Sequence, residues 1–333
     1  MWKGIIRPKL EYGGGVWWTN QKEERSLESL QLQTMVQAMG ASTKTTQEVV
    51  RGDLGLETLK EKRDKAKLKE FGKVCTVNEP RLEEMLLGTE HRFRGVRRSW
   101  WSFVRELIRK YGLMDEAREV EEKKISIEEW YSVVDRKVKE KGKEWWWKDA
   151  SMRSKLRRHV VMKGGVEGWG MEKWMEGEWS HGKRIKFRWR SGSCGLNEDM
   201  GRREGRIKTC VMDGCDEEET VEHIMWECVA YKSIREDLKL LLMMECSKFN
   251  ELEWLKGFYD EGMHRRTTIM MSSKDMGRNV KDEEMLRTII DNLSIQFITK
   301  LHEFRVTQLY DHPMILHGGA NGASCTNAML VAN

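Results

Sequence analysis

The chain has 333 residues, 39% hydrophobic and 34% charged, with a formal net charge of +5. That length suits two or three domains, and the near-balance of charge excludes binding to nucleic acid through total charge alone. No apolar run reaches the eighteen or so residues of a membrane helix, no signal-peptide start is present, and seven thinly scattered cysteines point to a reducing intracellular compartment, nucleus or cytoplasm, and to metal use rather than disulfides.

The opening, Met1 to Trp17, reads as the middle of an element, with Pro8 favouring a bend and Gly13 to Gly15 permitting tight backbone contact. A helix is expected from Glu23 to Met39, with Leu27, Leu30, Thr34 and Ala38 on one face, Met35 and Met39 flanking it, and Gly40 as its stop. Thr45 and Glu48 have capping-box spacing for a short helix ending near Gly52. A third helix is expected from Leu56 to Val74, its Leu59, Ala66 and Val74 inward and its Lys, Arg and Glu in solvent.

Residues 76–135 read as weaker helices on polar linkers, including a basic stretch from His91 to Arg98. Trp100, Phe103, Val104 and Leu107 have the spacing of a core face. Lys137 to Met162 is strongly basic, and Met152, Leu156 and His159 share one side of a helix, so His159 reads as packed rather than catalytic. Trp145, Trp146 and Trp147 suit either stacking on unpaired bases or a core. Tryptophan (15) and glycine (29) are abundant while proline (3) is rare; this is the mark of guanine-rich codons, and it lowers the weight of any argument from aromatic residues.

Glycines from Gly164 to Gly182 suggest a loose connector. Lys183 to Gly192 alternates cationic and apolar residues and fits a short strand or extended arm. Beyond it, Cys210, Cys215, His223 and Cys228 give C-x4-C-x7-H-x4-C within nineteen positions. Zinc takes four nitrogen and sulfur ligands at tetrahedral corners, closed when structural; Gly214 lets the first pair sit on a tight turn, and the second pair returns from a helix start. Buried thiols beside a surface histidine are the alternative. After the cluster, Ile234, Leu238, Leu241 and Leu242 mark an amphipathic helix. A long helix is expected from Asp282 to Tyr310 with Leu286, Ile290, Leu293, Phe297 and Phe304 on its stripe, packing on the chain's own core or on a coiled-coil partner. Residues 311–333 read as a disordered tail. The expected fold is mainly α: loosely packed helical units around one small zinc site. Its segments are 1–75, a connector at 76–182, a basic arm with the zinc site and following helix at 183–245, a helical region at 246–310, and the tail.

The motifs share an order with a known family. Ile6-Arg-Pro-Lys-Leu-Glu-Tyr-Gly13, Val16-Trp17, Leu27-Glu-Ser-Leu-Gln31 and Leu54-Gly55-Leu-Glu-Thr-Leu59 resemble the region after the polymerase core of non-LTR (LINE-type) retrotransposon reverse transcriptases. Arg190-Ser-Gly192 with Leu196-Asn197 is similar to the stretch before that family's cysteine motif. Cys210, Cys215, Glu219-Thr220, His223, Cys228, Tyr231 and Arg235 resemble its C-terminal CCHC zinc knuckle and the helix beyond. The resemblance implies a thumb-like helical segment over 1–75 and a nucleic-acid-binding knuckle liganded by Cys210, Cys215, His223 and Cys228. Polymerase chemistry needs paired aspartates for two metal ions; no Asp-Asp pair occurs in the sequence, so a binding fragment without the catalytic palm is expected, not an enzyme.

The expected partner is RNA or single-stranded DNA, with no membrane and no small-molecule substrate. Arg184, Lys186, Arg188, Arg190, Arg202, Arg203 and Arg206 would track its phosphates, and Trp226 would stack on a base. The acidic run Asp216 to Glu219 is expected on the far side of the knuckle. Without the palm to pack on, Leu27 and Leu59 are expected to be partly exposed. A helical protein-interaction fragment, or a relic of a decayed element, stands as the alternative.

Overall fold

The computed structural model describes residues 7–16, 19–43, 45–76, 99–198, 208–272, 276 and 280–311. The basic stretch from His91 to Arg98, the cations Arg202, Arg203 and Arg206, and the tail from residue 312 lie outside them. Among the described residues the chain is helical, with two isolated β-bridges as its only extended pairing. It divides into two units, Met1–Ala38 with Thr46–Met171, and Met39–Thr45 with Glu172–Asn333. The boundary expected between residues 182 and 183 falls inside a helix.

The first unit is built on α1 (Arg7–Glu11), α2 (Gln21–Ala38), α3 (Gln47–Leu54), α4 (Leu59–Thr76), α5 (Trp100–Tyr111), α6 (Met114–Glu121), α7 (Ile127–Ser151) and α8 (Arg157–Lys163). Helix α4 is central, packed against α1, α2, α5, α6 and α7. A reciprocal capping box starts it: the Thr58 amide donates to Glu61 Oε2 at 2.8 Å, and the Glu61 amide donates to Thr58 Oγ1 at 3.0 Å. Contrary to the expected solvated face, Glu61, Arg63, Asp64 and Lys67 of α4 are buried. Three of them are held by partners: Arg51 donates to both Glu61 oxygens, Lys110 and Tyr111 donate to Asp64, and Lys67 reaches the Gly14 carbonyl, while the two Arg63 amino nitrogens make no hydrogen bond. Five neighbours leave this helix little solvent surface, on which Lys60 and Lys73 remain exposed, so most of the charges turned inward are paired. The same enclosure buries Leu59 completely, against the expected exposure.

The 25-residue α7 buries Trp130, Val134, Val138, Gly142, Trp146 and Ala150, a stripe with a step of four. Its two buried tryptophans enter notches left by glycines: a Cβ on Gly72 would lie 2.2 Å from Trp130 Cδ1, and one on Gly52 would lie 2.6 Å from Trp146 Cζ2. The indole N–H groups donate to the carbonyls of Leu68 and Glu48. Trp146 is therefore a core residue, with Trp145 and Trp147 half-buried. Gly52 does not end α3; the helix runs on to Leu54 and stops on the left-handed Gly55, while Thr46 rather than Thr45 is its N-cap residue. On α2 the buried side chains are Gln31, Met35 and Val36, whereas Leu30 is exposed, so the inward face is rotated from the expected one.

The second unit is built on α9 (His181–Arg190), α10 (Lys232–Lys248), α11 (Leu252–Asp260), α12 (Met263–Ser272) and α13 (Glu283–Asp311). Helix α13 is its axis, lined by α9, α10 and α12, and Leu286, Ile290, Leu293 and Phe297 are buried along it. The stretch expected as a strand or arm is α9. Ser180 caps it by accepting the Lys183 amide, and Ile185, Lys186, Trp189 and Arg190 form one inward face at helical spacing. The period-two alternation of Ile185, Phe187 and Trp189 is a coincidence within that helix. No described helix is long and apolar enough to cross a membrane.

Candidate metal centre

Cys210, Cys215, His223 and Cys228 are brought together, with their ligand atoms all within 4.8 Å of one another. The first pair sits on a short hairpin closed by the Thr209–Glu218 bridge, in which Cys210 donates to the Glu217 carbonyl and Glu219 to that of Lys208, both at 2.7 Å. At its tip the Cys215 amide donates to the Met212 carbonyl, and Gly214 takes the positive φ (71°) that this turn requires.

The second pair comes from a capped helical turn. Thr220 Oγ1 accepts the His223 amide at 3.0 Å, the N-cap arrangement. Residues His223–Glu227 then adopt π-helical geometry, closed by the Cys228 amide donating to the His223 carbonyl at 2.8 Å. In an α-helix, residues five apart point about 140° away from each other. The wider turn instead lets His223 and Cys228 face one point, consistent with the concentration of such turns at functional sites.

The distances fit zinc. Zn–S bonds of about 2.3 Å at tetrahedral angles place two sulfurs about 3.8 Å apart, and Cys210 Sγ lies 3.8 Å from Cys228 Sγ. Cys215 Sγ lies 3.3 Å from His223 Nε2, which identifies Nε2 as the ligand nitrogen. On the other side of the ring, Glu227 Oε2 lies 3.6 Å from Nδ1, outside hydrogen-bond distance, and Nδ1 makes no hydrogen bond. The Met212 amide donates to the Cys210 sulfur and the Ala230 amide to the Cys228 sulfur, both favouring thiolate, but burial outweighs them and pushes both thiols up. A bound cation reverses that balance, since coordination deprotonates a thiol outright.

The hairpin is locked to the rest of its unit by Glu219, which is completely buried. Arg305 of α13 grips it through Nε at 2.7 Å and Nη2 at 2.8 Å, and the Asn197 amide donates to it at 2.6 Å. The same Nη2 also donates to the Gly195 carbonyl at 3.0 Å. The sequence assigns no role to Arg305, and it gives Glu219 only as a motif residue within an acidic run expected on the far side of the knuckle. The available signal was hairpin alternation: Glu219 follows the bridging Glu218 and so points the opposite way. Asp216, Glu217 and Glu218 are exposed as expected.

The expected nucleic-acid contacts divide. Arg184 is exposed and Arg188 half-buried. Lys186 and Arg190 are buried and cannot track a phosphate backbone: Lys186 pairs with Asp291 at 3.2 Å and Ser294 at 2.7 Å, and Arg190 with Glu172 at 3.3 Å and the Met271 carbonyl at 2.6 Å. Burial brings Lys186 down to about 8, with Asp291 opposing. Trp226 is not an open stacking platform either. Its ring packs against Phe258, Phe297 and the Arg266 guanidinium, and its N–H donates to Thr267. No protein-family model, curated protein or solved structure matches the chain.

Proposed function

We propose that the chain is a zinc-stabilised nucleic-acid-binding piece of a non-LTR retrotransposon reverse transcriptase, comprising its thumb-like and knuckle regions. The observation that carries the zinc assignment is the convergence of three sulfurs and one imidazole nitrogen at tetrahedral spacing. The family assignment rests on the order of the sequence motifs, and Tyr231, one of them, is fully buried against Phe304 beside the site. Zinc with three thiolates carries one net negative charge, and Arg235, whose charge Cys228 favours, offsets it. The role is binding rather than polymerisation, because the chain has no Asp-Asp pair.

Purified full-length chain is expected to carry one zinc by elemental analysis, lost in Cys215→Ser, and to bind single-stranded RNA with affinity falling steeply as salt rises. A metal content unchanged in Cys215→Ser, or a flat salt response, overturns the corresponding half of this reading. A second reading, a helical protein-interaction module, is favoured by Leu240, Met243 and Met244, which form an exposed apolar stripe on α10.

A further inference from the structure

Helix α9 sorts its cations. Lys186 and Arg190 face inward and are paired. His181, Arg184 and Arg188, at i, i+3 and i+7, lie along a different edge of the helix, and neither arginine joins an ion pair among the described residues. The Nε of Arg188 is buried and makes no hydrogen bond. From α13, His302 is only 8% exposed, and its Nδ1 is likewise buried with no partner. Arg188, Arg305 and His181 all act on His302 electrostatically, and no carboxylate does. Arg305 is already neutralised by Glu219, so the charge of Arg188 has no counter-ion among the described residues.

Buried donors and acceptors in folded proteins find partners, and an orphan is explained by a ligand or ion that completes it. An unsatisfied ring nitrogen beside a guanidinium whose own Nε is unsatisfied describes a seat for an anion. Planar guanidinium groups match phosphate oxygens in bidentate fashion. We propose that Arg184, Arg188, His181 and His302 form one anion subsite that receives a phosphate group of a single-stranded nucleic-acid backbone. The choice of nucleic acid as the source of that phosphate rests on the function proposed above; the phosphate chemistry rests on these four side chains.

The experiment uses the full zinc-loaded chain with two probes. Isotope-labelled histidine signals are followed by NMR during titration with inorganic phosphate, the His302 signal being assigned through His302→Asn. Anisotropy of a fluorescent single-stranded RNA is measured against salt for the wild type, Arg184→Gln and Arg188→Gln, with circular dichroism confirming the fold. Phosphate is expected to shift His302, and Arg188→Gln to abolish the shift. Each arginine substitution is expected to reduce the slope of log affinity against log salt by about 0.7. RNA binding with the wild-type slope in both variants, together with an unmoved His302, overturns the subsite and leaves the proposed function standing. A phosphate-dependent shift without RNA binding supports the subsite, assigns it to a smaller phosphorylated ligand and overturns the nucleic-acid reading.

Discussion

The Glu219 carboxylate has no exposure, and its partners come from Arg305 and the Asn197 amide. Removing one side of such a pair strands the other charge. Glu219→Ala is therefore expected to destabilise the second unit by about 3–5 kcal/mol, read as a lower urea midpoint. His302 ties stability to pH. Burial, with Arg188, Arg305 and His181 adding to it, brings its pKa down to about 3 from 6.5, so the folded chain holds it neutral. Its contribution is complete above about pH 6.5 and is lost as pH falls from there toward 3, at up to about 1.4 kcal/mol per pH unit. His302→Leu is expected to flatten the stability profile across that window in urea titrations at successive pH values.

At the level of elements, the first unit depends on glycine notches in α3 and α4 that admit the α7 tryptophans. A Cβ 2.2 Å from the Trp130 ring has no room, and overpacking of this kind costs about 1–3 kcal/mol or more. Gly72→Ala should lower the thermal midpoint, and pairing it with Trp130→Leu should cost less than the sum of the two single changes, because the two sites share one contact. Such notches are not legible in sequence: Gly52 reads as a helix stop, since nothing local announces that Trp146 sits above it. The buried charges of α4 were hidden for the same reason, their partners Arg51, Gly14 and Lys110 lying elsewhere in the chain. Helix α9 was misread because a basic-apolar alternation satisfies a strand template while also placing Lys186 and Arg190 on one helical face. The metal ligands were legible because all four lie within nineteen positions, so chain-local spacing alone brings them together.

For the whole molecule, the division near Met171 and Glu172 predicts unequal responses to metal removal. Structural zinc contributes its binding free energy to folding, and its four ligands all belong to the second unit. Treatment with a strong chelator is expected to strip hydrogen-exchange protection from α10 and α13 while leaving α4 and α7 protected. Equal loss in both sets of helices would show that the division has no energetic counterpart. The mainly helical character was legible from periodicity, and the division falls inside the expected connector Gly164 to Gly182, but that stretch is not slack, because Trp169, Trp174 and Met175 within it are buried.

The pairing of Glu219 with Arg305 also sets a timetable for synthesis. The four metal ligands leave the ribosome together, but the guanidinium that completes Glu219 follows 86 residues later, a delay of roughly 4–17 s at about 5–20 residues per second. During that interval the hairpin can hold its metal, yet the carboxylate destined for the interior still faces water and the surface meant to receive it does not exist. On the zinc reading, metal capture would precede docking, and a nascent chain arrested before α13 should carry metal on a hairpin that has nothing to close against.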